Sequence, residues 1–283
     1  MSALPDWARE RLDGGRVGPG AARVIEILEL QPQLASYAST AEIAERAGVN
    51  IATVVRTAQA LGFSGWSELR QEIRSRYLAS LSAVQVLSEH QVPGASRTRD
   101  AVRQDIANLE SLANSIDPRE VAAIGRAIAD AKRTVVIGSG SFVAPGLQLS
   151  HVGQTMGLDI RFGRGGGTTL FNEVGLLGEG DVVVAFSFWW LAREVLEAAR
   201  IAAEAGASVV LLTDRRSTPF TELAEHAVIV ASEGASTFPS LTAPMAAVHC
   251  ILAEIAAYDE DRVRASLARA ETIWRDNDLF GPN

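Results

Sequence analysis

A chain of 283 residues, 47% apolar and 21% charged, is long enough for two separately cored units and too apolar for a disordered one. A single cysteine, Cys250, excludes an intrachain disulfide framework and fits a reducing compartment. The net charge of −8 is uneven: residues 1–77 hold nine arginines against nine acids, so the remainder carries the whole acidic excess.

The opening stretch MSALPDWARERLDGG places charges and a proline where a secretion signal needs an apolar run. The most apolar stretch, Val182 to Ala192, is about half the length of a membrane-spanning helix. A cytoplasmic protein without a membrane partner is expected.

Up to about Leu81 the pattern is helical and carries no strand. Ser39, with Glu42 three residues on, predicts a capping box and a helix whose inner face is Ile43, Ala44 and Ala47. Gly48 permits a tight turn, Val49 plugs the corner, and Asn50 is a good N-cap for a second helix. In that second helix Val54, Ala58 and Leu61 point inward, and Gly62 stops it. Thr53, Arg56, Thr57 and Ala60 then share the opposite face, with Gln59 at its border. Two short helices joined by such a turn form a helix-turn-helix, whose second helix can enter the major groove of DNA. Arg56 suits guanine and Gln59 suits adenine. Asn50, Thr53 and Thr57 are expected beside them, and Arg46, Arg70, Arg74 and Arg76 are expected on phosphates. A helical bundle with a merely solvated face is the alternative, and the lack of net positive charge in this region favours it.

Residues 82–116 read as a polar helical connector broken near Val92, Pro93 and Gly94. From Asp117 short β-branched runs alternate with helical stretches. The runs are TVVIG (134–138), LDIRF (158–162), DVVVAFS (181–187), ASVVLLTD (207–214) and HAVIV (226–230). That alternation predicts a three-layer α/β unit over 117–258, with a parallel sheet of about five strands. Residues 259–283 read as a further helix and tail. In such sheets ligands bind beyond the carboxyl ends of the strands, here Gly138 to Ser141, Ser187 to Trp190 and Thr213 to Ser217.

GVNIATVVRTAQALGFSGWSELR, within residues 48–70, resembles the helix-turn-helix signature of RpiR (MurR/RpiR) transcriptional regulators. The later half resembles the sugar isomerase (SIS) domain that follows it in those proteins. The resemblance spans about residues 5–258 and implies an all-α DNA-binding domain over 1–81 followed by an SIS-like domain. Its partners would be operator DNA and a small metabolite, often a phosphosugar, and its assembly a homodimer or homotetramer. It implies a regulator and not an enzyme, with no catalytic residue and no cofactor.

The resemblance places the effector at two strand ends. The family's first loop is Gly-x-Gly-x-Ser; here Gly138 and Gly140 stand, Phe142 occupies the last place, and Ser141 comes one position early. Its second loop is Ser-x-Ser-Gly-x-Thr; here Ser187 stands, but Trp189, Trp190 and Ala192 replace serine, glycine and threonine. Ser139, Gly140, Ser141, Ser187, Trp189, Trp190 and Asp214 are the candidate effector residues. The two tryptophans either line an effector cleft by stacking or fill the phosphate position or an interface. Asp214 either accepts from a ligand hydroxyl or caps the next turn. Gly165, Gly166 and Gly167 form either an anion-binding nest or a surface turn. Val143, in the third glycine's place, excludes a dinucleotide fingerprint, and His151 and His249 lack metal-ligand spacing, so no metal is expected. Two further alternatives are a phosphosugar isomerase and a regulator whose back domain serves only to dimerise.

Overall fold

The computed structural model describes residues 7–8, 11–12, 17–90, 96–163 and 165–280, which fall into two units, 1–93 and 94–283. The first unit is helical: α1 (Pro19–Leu30), α2 (Pro32–Tyr37), α3 (Thr40–Ala47), α4 (Ile51–Ala60), α5 (Trp66–Ser80) and α6 (Ala83–Glu89). Proline opens α1 and α2, where its fixed φ suits the first turn and no N–H is missed. The capping box forms at α3. The Ser39 N–H donates to Glu42 Oε2 at 2.6 Å, and the Glu42 N–H donates to Ser39 Oγ at 3.3 Å. The Ser39 backbone N–H, helped by its hydroxyl, holds the Glu42 carboxyl below its ordinary range. Gly48 ends α3 in the left-handed region at φ +60°, where a side chain would be strained. Asn50 Oδ1 then accepts the Thr53 N–H at 2.8 Å and starts α4. The inward faces of α1 to α5 meet in one core that includes Leu28, Ile43, Val54, Ala58, Leu61, Leu69 and Ile73. The Trp66 indole N–H donates to the Ala38 carbonyl at 3.0 Å within that packing.

The stretch 82–116 is not a connector with a body of its own. Its first half, α6, packs on the front unit: Val86 is buried, and the Tyr77 hydroxyl donates to Glu89 at 3.0 Å. Burial, reinforced by that carboxylate, raises the Tyr77 phenol above its usual range and keeps it a neutral donor. Its second half, α7 (Arg97–Ser115), belongs to the back unit. There Leu112 enters the core, and Asn108 donates to the Glu233 carbonyl at 2.7 Å. The front unit therefore runs past residue 81. A mostly polar helix can dock through one or two inward residues, which composition alone does not register. The predicted break at Val92 to Gly94 lies outside the described residues.

In the second unit α8 (Pro118–Asp130) leads to β1 (Thr134–Gly138), α9 (Ala144–Thr155), β2 (Ile160–Phe162) and α10 (Thr168–Val174). Then come β3 (Val182–Ser187), α11 (Arg193–Glu204), β4 (Ser208–Thr213), β5 (His226–Ile229), α12 (Thr242–Tyr258) and α13 (Glu260–Asp276). The sheet is parallel throughout, with order β2-β1-β3-β4-β5. Its strands are apolar on both faces because helices cover both. Val136, Val184, Phe186, Val210 and Leu212 face α8, α9 and α12. Their neighbours Val135, Ile137, Val183, Ala185, Val209 and Leu211 face α10 and α11. A Cβ at Gly146 of α9 would lie 2.3 Å from Val136 Cγ1, so glycine there sets how closely the helix approaches the sheet. On α13, Arg262 donates to the Ala129 carbonyl at 2.9 Å and the Gly157 carbonyl at 3.0 Å. Among the described residues no helix is long and apolar enough to cross a membrane.

Candidate functional site

Two surfaces carry the sequence candidates, one on each unit. On the first, α3, the Gly48 turn and α4 form the helix pair. Arg56 and Gln59 stand exposed on α4, as does Ala60. Asn50 is spent largely as the cap: its Oδ1 accepts from both the Thr53 N–H, at 2.8 Å, and the Thr53 hydroxyl, at 2.9 Å. Thr53 Oγ1 in turn accepts from Arg56 Nη2 at 3.4 Å, which leans the guanidinium toward the N-terminal end of the helix.

The expectation for Thr57 is overturned. It is 2% exposed, and its hydroxyl donates to the Thr53 carbonyl at 2.8 Å. The reason is angular: position 57 is three residues after Val54 and one before Ala58, so it falls inside the inward stripe. The phosphate candidates divide. Arg46 is exposed, with Nη1 donating to Gln31 at 3.2 Å. Arg70 is half-buried, with Nη1 at 3.4 Å from the Ala38 carbonyl. Arg76 pairs with the buried Glu72 at 2.8 Å and lies 4.3 Å above the Trp7 ring, so it serves the core. Arg74 stacks 4.2 Å over Tyr37 in the same manner.

Sequence reasoning missed two arginines that hold the pair in shape. Arg23 donates to the Ala47 carbonyl at 2.8 Å and the Gly48 carbonyl at 3.2 Å, closing α3. Arg11 donates to the Leu61 carbonyl at 2.6 Å, closing α4. Both satisfy carbonyls that every helix leaves unpaired at its C-terminus. The need was legible, but the donors' identity, dozens of residues away, was not.

The second surface lies at the carboxyl edge of the sheet. After β1, Ser139 precedes a single 3-10 turn, Gly140–Val143. Gly140 sits at φ +56° with open space where a Cβ would stand, and Ser141 is exposed. Ser187 ends β3. Among the described residues the hydroxyls of Ser139, Ser141 and Ser187 have no hydrogen-bond partner.

Beyond Ser187 the two tryptophans have different environments. Trp189 is 2% exposed and adopts φ +52°, a left-handed conformation costly for a bulky residue. Its backbone N–H donates to both Asp214 oxygens, at 3.2 and 3.3 Å. Asp214 Oδ2 also accepts the Ser232 hydroxyl at 3.0 Å. The expectation that Asp214 meets a ligand is therefore overturned. It is 3% exposed and ties the ends of β3, β4 and β5 together. Trp190 is half-buried and central to an aromatic cluster. Its ring lies 6.0 Å from Phe142, 5.9 Å from Trp189 and 6.2 Å from Phe238. Phe238, after β5, is 57% exposed and was not singled out from the sequence, because it stands in a loop without periodicity. The glycine turn has an internal partner: Glu194, in the first turn of α11, accepts the Gly167 N–H at 3.3 Å.

Known proteins resemble the chain in both halves. The helix-turn-helix domain of the rpiR family matches residues 19–80, and the SIS domain matches residues 127–254. The Pseudomonas aeruginosa HTH-type transcriptional regulator HexR is 28% identical over 216 residues, covering 75% of this chain and 74% of its own. An uncharacterized HTH-type transcriptional regulator of Haemophilus influenzae is 23% identical over 211 residues, 73% of each chain. The sugar isomerase domain of an RpiR transcription factor from Sphaerobacter thermophilus superposes with TM-score 0.59 at 28% identity, over 62% of this chain and 98% of that one. Vibrio vulnificus NanR, solved in complex with ManNAc-6P, superposes with TM-score 0.60 at 18% identity over 99% and 100%. The last of these speaks to fold alone.

Proposed function

Since the chain belongs to the RpiR family of helix-turn-helix transcriptional regulators and carries an SIS domain, we propose that α4 reads operator DNA under the control of a small carbon-metabolism ligand. The observation that carries this is an exposed Arg56 and Gln59 on a helix whose back is fully used by the core, joined in one chain to an SIS sheet. The DNA contacts are those of Arg56 and Gln59 to bases, with Thr53 and the free amide of Asn50 at the helix start and Arg46 and Arg70 near phosphates.

The ligand belongs at the sheet's carboxyl edge, against Ser139, Gly140, Ser141 and Ser187, with Trp190 as its apolar wall. Trp189 is structural there. The SIS domain over residues 127–254 supports a ligand of the sugar or sugar-phosphate class here, and NanR, alike in fold, was solved in complex with one, ManNAc-6P. Both tryptophans displace hydroxyl and glycine positions of related loops, and the Trp190 indole, the more accessible of the two, favours contact with a sugar ring over a tight grip on phosphate. The protein is a regulator and not an isomerase; turnover of any aldose or ketose phosphate by the purified chain would overturn that.

Thermal melting against sugar phosphates, free sugars, amino sugars and polyols tests the site. A ligand at about a hundred times its Kd adds roughly 2.7 kcal/mol to the state that binds it, a shift of several degrees. One class is expected to raise the melting temperature, and Trp190→Ala to abolish the shift while leaving DNA binding. Silence across the panel by a DNA-binding protein would leave the second unit as an assembly module only.

The reading includes a homodimer, since operator half-sites are read by paired heads. Val102, Ile106 and Leu109 form an exposed apolar row along one face of α7, at spacings of four and three residues. A second copy covering that row would remove it from water. Ile106→Glu is expected to give monomers by analytical ultracentrifugation and to weaken operator binding at least tenfold. An unchanged mass would move the interface elsewhere.

A further inference from the structure

We propose that Ile51, Ala52 and Val55 read the 5-methyl groups of thymines next to the base contacted by Arg56, which makes them specificity-determining residues of the DNA surface. The inference rests on the DNA reading of α4 given above. The motivating juxtaposition is an apolar patch on the outward side of that helix. Ile51 is 54% exposed at the first helical position, Ala52 is exposed, and Val55 beside them is half-buried. Positions 51, 52, 55, 56 and 59 recur at three- and four-residue spacing and form one face. The opposite face, Val54, Thr57 and Ala58, is buried, so the core does not need Ile51 for packing.

On a helix face that only met solvent, an exposed isoleucine and a partly exposed valine bring nothing. They are β-branched, weaker helix formers than alanine, lysine or glutamate, and they leave apolar area in water. In the major groove the base edges offer hydrogen-bonding groups and one apolar feature, the thymine methyl. A recognition helix reaches the bases with its N-terminal residues, and there this chain places Ile51 and Ala52. Of the polar groups at that end, Asn50 Oδ1 and the Thr53 hydroxyl bond to each other at 2.9 Å, which leaves the Asn50 amide as the donor there. Thr57, which would have widened the polar face, is buried. Beside the Asn50 amide stands an apolar end, followed by Arg56 and Gln59. That order matches a half-site in which thymine lies beside the guanine taken by Arg56.

The experiment uses the full chain and a random duplex pool. The best-bound sequence is selected, and its thymines are replaced one at a time by deoxyuridine, which deletes only the methyl group. The wild type is expected to lose about fourfold in affinity for each methyl it buries, at one or more positions in each half-site. In Ile51→Ala or Val55→Ala the thymine and uracil duplexes are expected to bind alike at the matching position. Ile51→Ala should melt as the wild type does, since that side chain is exposed and alanine is the better helix former; Val55→Ala, which removes a half-buried side chain, is expected to melt somewhat lower and is compared well below its melting temperature. The inference is overturned if no deoxyuridine weakens binding, or if the penalty survives in both variants. It is also overturned for Ile51 if Ile51→Ala leaves the penalty intact but changes the oligomeric state, which would mean a second copy covers that side chain. A pool that yields no preferred sequence would overturn the DNA reading itself, and this inference with it.

Discussion

Arg56→Ala is expected to lower affinity for the selected operator by about tenfold to a hundredfold, with no change in melting temperature. A bidentate arginine–guanine contact discriminates by about 1–3 kcal/mol, and alanine offers no substitute for its paired donors. The fold does not depend on the residue. Arg56 is exposed, and its hydrogen bond to the Thr53 hydroxyl is a long one, 3.4 Å. Specificity should fall more than affinity. Binding to a scrambled duplex rests on phosphate contacts and loses only the share of one counterion. Fluorescence anisotropy on operator and scrambled duplexes at two salt concentrations separates these terms. Equal weakening on both duplexes would reassign Arg56 to the backbone. Unchanged binding to the operator would remove α4 as the reader.

A larger effect on stability is expected at Asp214. Asp214→Ala should destabilise the second unit by about 3 kcal/mol or more and loosen the tryptophan loop. Three supports disappear together. The Trp189 N–H, buried at 3.2 and 3.3 Å from the carboxylate, loses its acceptor. The Ser232 hydroxyl loses its partner at 3.0 Å, and the buried Arg215 loses a carboxylate 3.9 Å away. Trp189 then has less to hold it at φ +52°, a conformation that costs about 1–3 kcal/mol wherever a non-glycine residue adopts it. Asp214→Asn keeps one acceptor oxygen and should lose less. Urea denaturation followed by near-ultraviolet circular dichroism is the appropriate readout, since the close Trp189–Trp190 pair, 5.9 Å between rings, gives a signal sensitive to its geometry. A variant that melts with the wild type and keeps that signal would show the loop to be held by packing alone.

The link between these sites is a matter of differential affinity. A ligand alters operator binding only if it favours one of two states that differ in DNA competence. The loops that carry Ser139, Ser187 and Phe238 are joined by two devices. The Asp214 bonds tie the ends of β3, β4 and β5, and the Trp190 cluster touches Phe142 and Phe238. A ligand resting on Trp190 thus contacts a framework spanning several strand ends and not a single loose loop.

The amino-acid sequence by itself determined whatever depends on near neighbours along the chain. Ser39 with Glu42, Gly48 and Asn50 act within three or four residues, so the start, turn and restart of the helix pair were legible. The β-branched runs and the helical stretches between them were equally local, and together with crossover handedness they leave few topologies besides the parallel order found. Tertiary structure alone decided which side chains were already engaged. Thr57 looked like a reader until its angular position beside Val54 and Ala58 placed it against the core. Asp214 looked free until it met the backbone of Trp189, which is distant in sequence. Arg11 and Arg23 close helices that begin well after them, and α6 and α7 part company to join different units. The physical reason is the same in each case. Helix and strand periodicity follow from backbone geometry within a few residues, whereas the partner of a buried polar group is chosen by where remote segments come to rest.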